Sequence, residues 1–490
     1  MGRRAREKKA RKQGASRSGL SDHRREGKFL LPPLSRIPKL HPMSWMNDRL
    51  PELIWAALLE TQFPRETVLE VFRSLADRIH RAGEGAPHDL RLTGLATALP
   101  ASRELIIDFV CGSPEAKEAL SPLLLFPDLP GREAWLQAIA RNPGDTAWPT
   151  LASAVAQVLD HQSQIATDLR WAVLLCLMAA GRLRFPKQLE HIPKELALYP
   201  YLGDQRKVRP TIRAGEGALV SLNSRDSQPT WAPSFWSHCL NATPCFPLPI
   251  RDTTTTPTTG TTVSQVSLVT QALLIHYNGT RTTSAVDPRH DTVFGMALYS
   301  IAILSELMCI GASTQITGRL GLRTLLEICG TLAYLLVKDD PDLWRSYRVY
   351  GAGQAKLAAL KLDEAAHQPL SISNERLREI ANEDIWEEFL DIDLGHWTNS
   401  NLRQLSLDAG VKEDYDRFYS WTSMFIHGHW GAVRSAVFDT CGNPLHRLHR
   451  IPRLLPQVQP DVVADAVELA DKTLALVDRA YPSFRERLKV

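Results

Sequence analysis

Tyr419, Ser423 and His427 recur at intervals of four within a segment whose apolar pattern reads as one helix over 411–438. On an α-helix that spacing drifts by only ~40° per step, so the three polar groups share a face. A hydroxyl one turn from an imidazole can hydrogen-bond to it, which would let His427 act as a general base or acid. The same triplet could instead be a buried ladder of hydrogen bonds that fixes helix packing. A second helix, read over 314–338, adds Arg323 and Glu327, one turn apart among Leu320, Leu322, Leu325, Leu326 and Ile328. Charges set in so apolar a helix need partners. In one reading they line the same pocket as His427, with Arg323 binding a phosphate or oxyanion and Glu327 orienting the imidazole. In the other they form an interior salt bridge between helices.

The elements that must position these groups are helices. Periodic apolar stripes over 264–277, 291–311, 314–338, 341–364, 374–390, 411–438 and 461–480 predict a C-terminal helical bundle over 263–490. Earlier, Asn47 or Asp48 can cap a helix that Pro51 opens, and Leu53, Ile54, Ala57 and Leu58 supply its stripe. Further short helices after Pro64, and over 103–111, 114–124, 132–141, 148–159 and 165–183, predict an N-terminal helical array over 44–201, with no exact repeat period. Residues 202–262 hold Pro210, Pro229, Pro233, Pro244, Pro247 and Pro249, then the low-complexity run Asp252–Thr262. This stretch is expected to act as a helix-free linker, with Trp231, Phe235, Trp236 and Phe246 packing part of it on a surface. The fold class expected is therefore all-α, an N-terminal array joined by a Pro/Thr-rich linker to a C-terminal bundle.

Charge is concentrated at one end. The formal net charge is +3, yet residues 1–28 hold eleven Lys or Arg against three acids, so the remainder is mildly acidic. Residues 1–43 read as a disordered basic arm with a Pro-rich lead-in. Arg3, Arg4, Lys8, Lys9, Arg11 and Lys12 would make salt-sensitive contacts with RNA or another polyanion. Seven cysteines without a C-x-x-C pair, three of them in apolar helical runs, fit a reducing compartment. The basic start is not followed by an apolar run, and Glu306 interrupts the longest apolar stretch, so a cytoplasmic protein without a membrane span is expected. His427, His429, His446 and His449 could suggest a metal site. His427 and His429, two apart on one helix, would point ~200° apart, so no metal is expected. The acids Glu383 to Asp393 read as a solvated helix face. Dinucleotide, Walker, G-x-S-x-G and H-E-x-x-H signatures are absent, and no cofactor is expected.

The runs Arg-Thr-Leu-Leu-Glu at 323–327, Trp-Arg-Ser-Tyr at 344–347 and Tyr419-x-x-x-Ser423-x-x-x-His427-Gly428 resemble a bacterial family, domain of unknown function 5677, over about residues 265–440. The resemblance implies a helical fold and a role in toxin or phage-defence systems, and brings no activity with it. The HEPN class of helical ribonucleases carries Arg-x(4–6)-His. Here Arg417 and His427 are too far apart; Arg73 and His80 meet the spacing, a pattern that arises easily by chance in an amphipathic helix. Two functions remain. One is a metal-independent, ribonuclease-like effector using Tyr419, Ser423, His427, Arg323 and Glu327. The other is a non-catalytic scaffold whose N-terminal domain docks a protein partner. Oligomeric state is left open.

Overall fold

Helix starts fall where the caps dictate. Asp287 accepts the His290 N–H at 3.0 Å just ahead of Pro288. Thr262 and Gln265 exchange side-chain and backbone hydrogen bonds at 3.2 and 2.9 Å in a reciprocal capping box. This computed structural model describes residues 21, 23–27, 29–31, 44–83, 89–183, 191–201, 208–223, 231–247, 259–367, 369–383, 387–398 and 400–489. The chain forms two units: Met1–Leu248 with Thr440–Arg450, and Pro249–Asp439 with Ile451–Val490.

The first unit contains α1 (Ile54–Gln62), α2 (Arg65–Ala82), α3 (Leu92–Thr97), α4 (Pro100–Val110), α5 (Pro114–Leu120), α6 (Arg132–Ile139), α7 (Ala147–Val158), α8 (Gln164–Ala179), α9 (His191–Leu198), α10 (Arg209–Asn223) and α11 (Trp231–Ala242). Trp55, Phe72, Trp135, Trp171 and Phe235 are fully buried in its core. Arg49 and Arg170 flank the buried Glu216, Arg49 Nε at 2.8 Å and Arg170 Nε at 3.5 Å, and Arg170 also stacks on Trp45. Burying three charges together in this way is tolerable only because each is paired.

Two expectations for this half are corrected. Residues 209–223 and 231–242, read as helix-free linker, are helices α10 and α11. Pro210 and Pro233 lie in the first turn of each, where a proline lacks nothing the helix needs. Trp231, Phe235 and Trp236 are buried on α11, so these three aromatic residues do pack, whereas Phe246 is exposed. The arm read as disordered contains a short antiparallel hairpin, β1 (Arg24–Glu26) with β2 (Phe29–Leu31), turned by Gly27 at φ +57°. Arg3, Arg4, Lys8, Lys9, Arg11 and Lys12 lie outside the described residues, as does the whole run 248–258.

The second unit contains α12 (Val263–Thr280), α13 (Pro288–Cys309), α14 (Ile316–Lys338), α15 (Pro341–Glu364), α16 (Asn374–Ala381), α17 (Leu402–Asp408), α18 (Lys412–Ile426), α19 (Trp430–Val437) and α20 (Val463–Ala480). Its central member is α14, which packs against α13, α17, α18 and α20. Helices α13 and α14 are long and apolar enough to cross a membrane by length and composition, but half and two thirds of their apolar windows are buried inside the protein. Leu304, Leu322, Leu325, Leu332 and Leu335 among them are core residues. Strands β3 (Phe438–Thr440) and β4 (Arg450–Pro452) pair in a two-stranded sheet. The helix predicted over 411–438 is therefore three elements, α18, α19 and β3.

Candidate functional site

Helix α18 is held against its neighbours by charge and by one buried guanidinium. Lys472 on α20 pairs with Asp414 at 2.6 Å, and Arg417 reaches Asp465 and Glu468 at 2.7 and 2.8 Å. Arg319 on α14 is fully buried. It donates to the carbonyls of Ser313 (2.8 Å), Gln315 (2.9 Å) and Pro460, and faces the rings of Trp421 and Phe425. Burial pushes this guanidinium down to about 10, still well above neutral pH, so the charge stays on and its carbonyl partners are what make burial tolerable.

One turn along α14, Arg323 does meet the polar face of α18. Its guanidinium carbon lies 3.7 Å from the centre of the Tyr419 ring, and Nη2 pairs with Glu327 Oε1 at 2.6 Å. Tyr419 in turn stacks on Tyr415 at 4.3 Å, and burial together with Tyr419 pushes the Tyr415 phenol up. Arg323 Nε and Nη1 and the Ser423 hydroxyl are buried, and among the described residues none has a hydrogen-bond partner. Arg323, Glu327 and Tyr419 therefore converge, and Ser423 lies one turn further along the same helix.

His427 does not join them. It is the C-cap of α18. Gly428 follows at φ +58°, and the His429 N–H returns to Met424 O at 2.9 Å, a Schellman stop. His427 is exposed. Its ring stacks on His429 at 5.6 Å, and among the described residues no hydrogen bond links it to Ser423 or Glu327. The expected 200° separation of His427 and His429 is corrected by this break in the helix. His446 and His449 belong to the first unit and to a different group of side chains.

The imidazole near Glu327 is one the sequence reading passed over. Glu327, Thr331, His396, Trp397, Leu402 and Leu405 line a cavity of about 210 Å³. His396 Nδ1 lies 3.3 Å from Thr398 O. The Gly-His-Trp run at 395–397 has no periodicity to flag it, because it sits in a loop. In the first unit, Arg73 stacks on Tyr201 at 4.5 Å and His80 Nδ1 lies 3.3 Å from Ala179 O, so this pair serves packing contacts of α2. The buried carboxyls Glu60 and Asp168 were also unforeseen. Burial and the Asp168 charge push Glu60 up to about 10.

Chemically, the α14–α18 face offers a fixed cation, an aromatic platform, a hydroxyl and one exposed carboxylate. That set can hold an oxyanion by charge-assisted hydrogen bonds. Among the described residues, no general base is hydrogen-bonded to the Ser423 hydroxyl.

No curated protein and no solved structure matches the chain. Residues 297–443, which carry Arg323, Glu327, Tyr419, Ser423 and His427, match the model of a family of unknown function (DUF5677), the resemblance expected from their motifs.

Proposed function

We propose that the chain is a helical effector of the toxin or phage-defence type whose second unit binds RNA through a backbone phosphate at Arg323. The observation that carries this is the pair of buried, unpartnered nitrogens on Arg323, with the unpartnered Ser423 hydroxyl on the facing helix. A buried donor left unsatisfied costs about 1–3 kcal/mol, and phosphate oxygens are the acceptors a planar guanidinium fits best. The effector part of the proposal rests on the family resemblance. The basic residues before residue 28 would add sequence-independent, salt-dependent contacts. A scaffold reading is favoured by the Arg323–Tyr419 and Arg323–Glu327 contacts, which also lock α14 to α18.

Anisotropy of labelled single-stranded RNA, titrated with the full chain over a salt series, separates the two. Arg323→Gln is expected to weaken binding by about tenfold, the equivalent of one charge-assisted hydrogen bond. Deleting residues 1–28 is expected to lower the salt slope. RNA binding that is unchanged in Arg323→Gln, with a lowered melting temperature, overturns the phosphate role and leaves the lock.

A further inference from the structure

The segment Thr440–Arg450 returns to the first unit and brings three side chains to a fourth. Cys441, His446 and His449 come from this segment, and Cys245 from the chain just beyond α11. Their ligand atoms all lie within 4.8 Å of one another. We propose that these four residues bind a structural zinc ion.

Two of the six ligand–ligand distances match tetrahedral zinc directly, and the others lie within 4.8 Å. Zinc–sulfur bonds of about 2.3 Å and zinc–nitrogen bonds of about 2.0 Å at tetrahedral angles place neighbouring ligand atoms about 3.3–3.8 Å apart. Cys441 Sγ is 3.3 Å from His446 Nδ1, and Cys245 Sγ is 3.5 Å from His449 Nε2. Two thiolates and two imidazoles form a soft, four-coordinate set that leaves no open position, which is the composition of a structural rather than a catalytic site.

The surroundings fix the tautomer that zinc needs. Thr243 Oγ1 donates its own hydrogen to Cys239 O at 2.8 Å and lies 2.9 Å from His446 Nε2. The Asn443 amide nitrogen lies 2.8 Å from Pro244 O, 3.1 Å from Thr243 Oγ1 and 3.3 Å from His446 Nε2, and its two hydrogens serve the two shorter contacts, to the oxygens. The hydroxyl can therefore only accept from His446, which puts the imidazole proton on Nε2 and leaves the Nδ1 lone pair facing Cys441. A ligating histidine that donates its far N–H to a fixed acceptor is the usual outer shell of a zinc site. The His449 ring packs on that of His446 at 5.1 Å and turns Nε2 to Cys245, while its buried Nδ1 has no hydrogen-bond partner among the described residues and so lacks the outer-shell acceptor that His446 has.

The backbone of the segment is shaped for the same end. Cys441 N–H donates to His449 O at 2.9 Å and His449 N–H to His446 O at 2.8 Å, closing the loop on itself. Gly442 N–H reaches Phe246 O, and Pro247 pairs with Cys441, which sets Cys245 beside it. Arg447 and Leu448 both occupy the left-handed region, at φ 48° and 56°. Non-glycine residues persist there only when the surroundings over-determine them, and a four-ligand ion does that.

The test is metal analysis of the full chain purified under reducing conditions, by plasma mass spectrometry. One equivalent of zinc per chain is expected, and Co²⁺ in its place should give the visible bands of a tetrahedral thiolate site. Thr243→Val should lower zinc affinity by about 10–100-fold in a chelator competition, through the lost hydrogen bond to His446. Cys245→Ser, at an exposed position, should remain folded by circular dichroism and lose the metal. Cys309→Ser, an exposed thiol outside the cluster, should keep it. Chelation should lower the melting temperature of the unaltered chain and leave that of Cys245→Ser unmoved. Protein that is metal-free as purified and takes up neither Zn²⁺ nor Co²⁺ overturns the proposal. So does zinc retained in full by Cys245→Ser, or a Cys245–Cys441 disulfide found under the same reducing conditions.

Discussion

Replacing Glu60 by Gln should flatten the pH dependence of the first unit's stability. Glu60 lies on α1 with 5% of its surface exposed, and neither carboxyl oxygen accepts a hydrogen bond among the described residues. It faces Asp168, itself fully buried, which already accepts from Arg65 (2.6 Å), Gln164 (2.8 Å) and Tyr199 (2.5 Å). Two carboxyl groups placed against one another need a proton between them, and the crowded donors on Asp168 put it on Glu60. Burial first, and the Asp168 charge second, push Glu60 up to about 10. In the unfolded chain the same carboxyl titrates near its ordinary value of 4.5. Between those two values the folded protein holds a proton that the unfolded chain has released, so stability falls as pH rises. The contribution is fully present below the unfolded value and is lost progressively up to the folded one. The slope is at most about 1.4 kcal/mol per pH unit, or about 3 kcal/mol between about pH 5.5 and about pH 7.5. Gln keeps the shape and donates to Asp168 as the protonated acid does, but cannot release a proton. Urea unfolding of both proteins at the two pH values, followed by tryptophan fluorescence, reads the difference. The expected result is a Glu60→Gln protein that gains about 2–3 kcal/mol relative to the parent on going to the higher pH. Parallel curves for the two proteins would refute a proton on Glu60.

Gly318→Ala should destabilise the second unit by about 1–3 kcal/mol, read as a shift in the urea midpoint. An added Cβ would stand 2.7 Å from the carbonyl oxygens of both Ala312 and Ser313, and backbone cannot swing aside as a side chain can. His427→Ala should leave the melting free energy within about 0.5 kcal/mol and leave RNA affinity unchanged, since the ring is exposed and contacts only His429 among the described residues. A tenfold loss of RNA affinity in that variant would return His427 to the site.

Much of the helical fold could be read from caps and stripes. Asp287 ahead of Pro288, and Thr262 with Gln265, announce their helices in four residues each, and the structure uses both. The prolines misled because position within the helix matters more than their presence: Pro210 and Pro233 stand in first turns. The end of α18 was legible and overlooked. Gly428, directly after His427, is the residue a helix stop favours, and the apolar residues beyond it disguised a new element as the continuation of an old one. Arg323, Glu327 and Tyr419 could be grouped because one-turn spacing and neighbouring apolar helices make such contacts local problems. His446 and His449 were noticed but matched with histidines nearby in sequence. Cys245 stands 204 positions from His449, and no local rule connects residues across that distance. Glu60 and Asp168 escaped for a related reason: a lone acid in a helical stripe looks solvated until the opposing helix is known.

The assignment of Thr440–Arg450 to the first unit also sets a timetable for synthesis. Leu445 from this segment is buried in the first unit's core, and its short turn packs against α7 and α11. The α11 end at Ala242 is made 440 − 242 = 198 residues before the covering segment begins at Thr440, and the α7 end at Val158 is made 440 − 158 = 282 residues before it. At about 5–20 residues per second, the shorter of these lags is an interval of about 10–40 seconds. Throughout it, the N-terminal half displays an apolar surface with nothing to cover it, while the sequence that must pass before relief arrives is most of the second unit. The first-made part of the chain is thus the last to be finished.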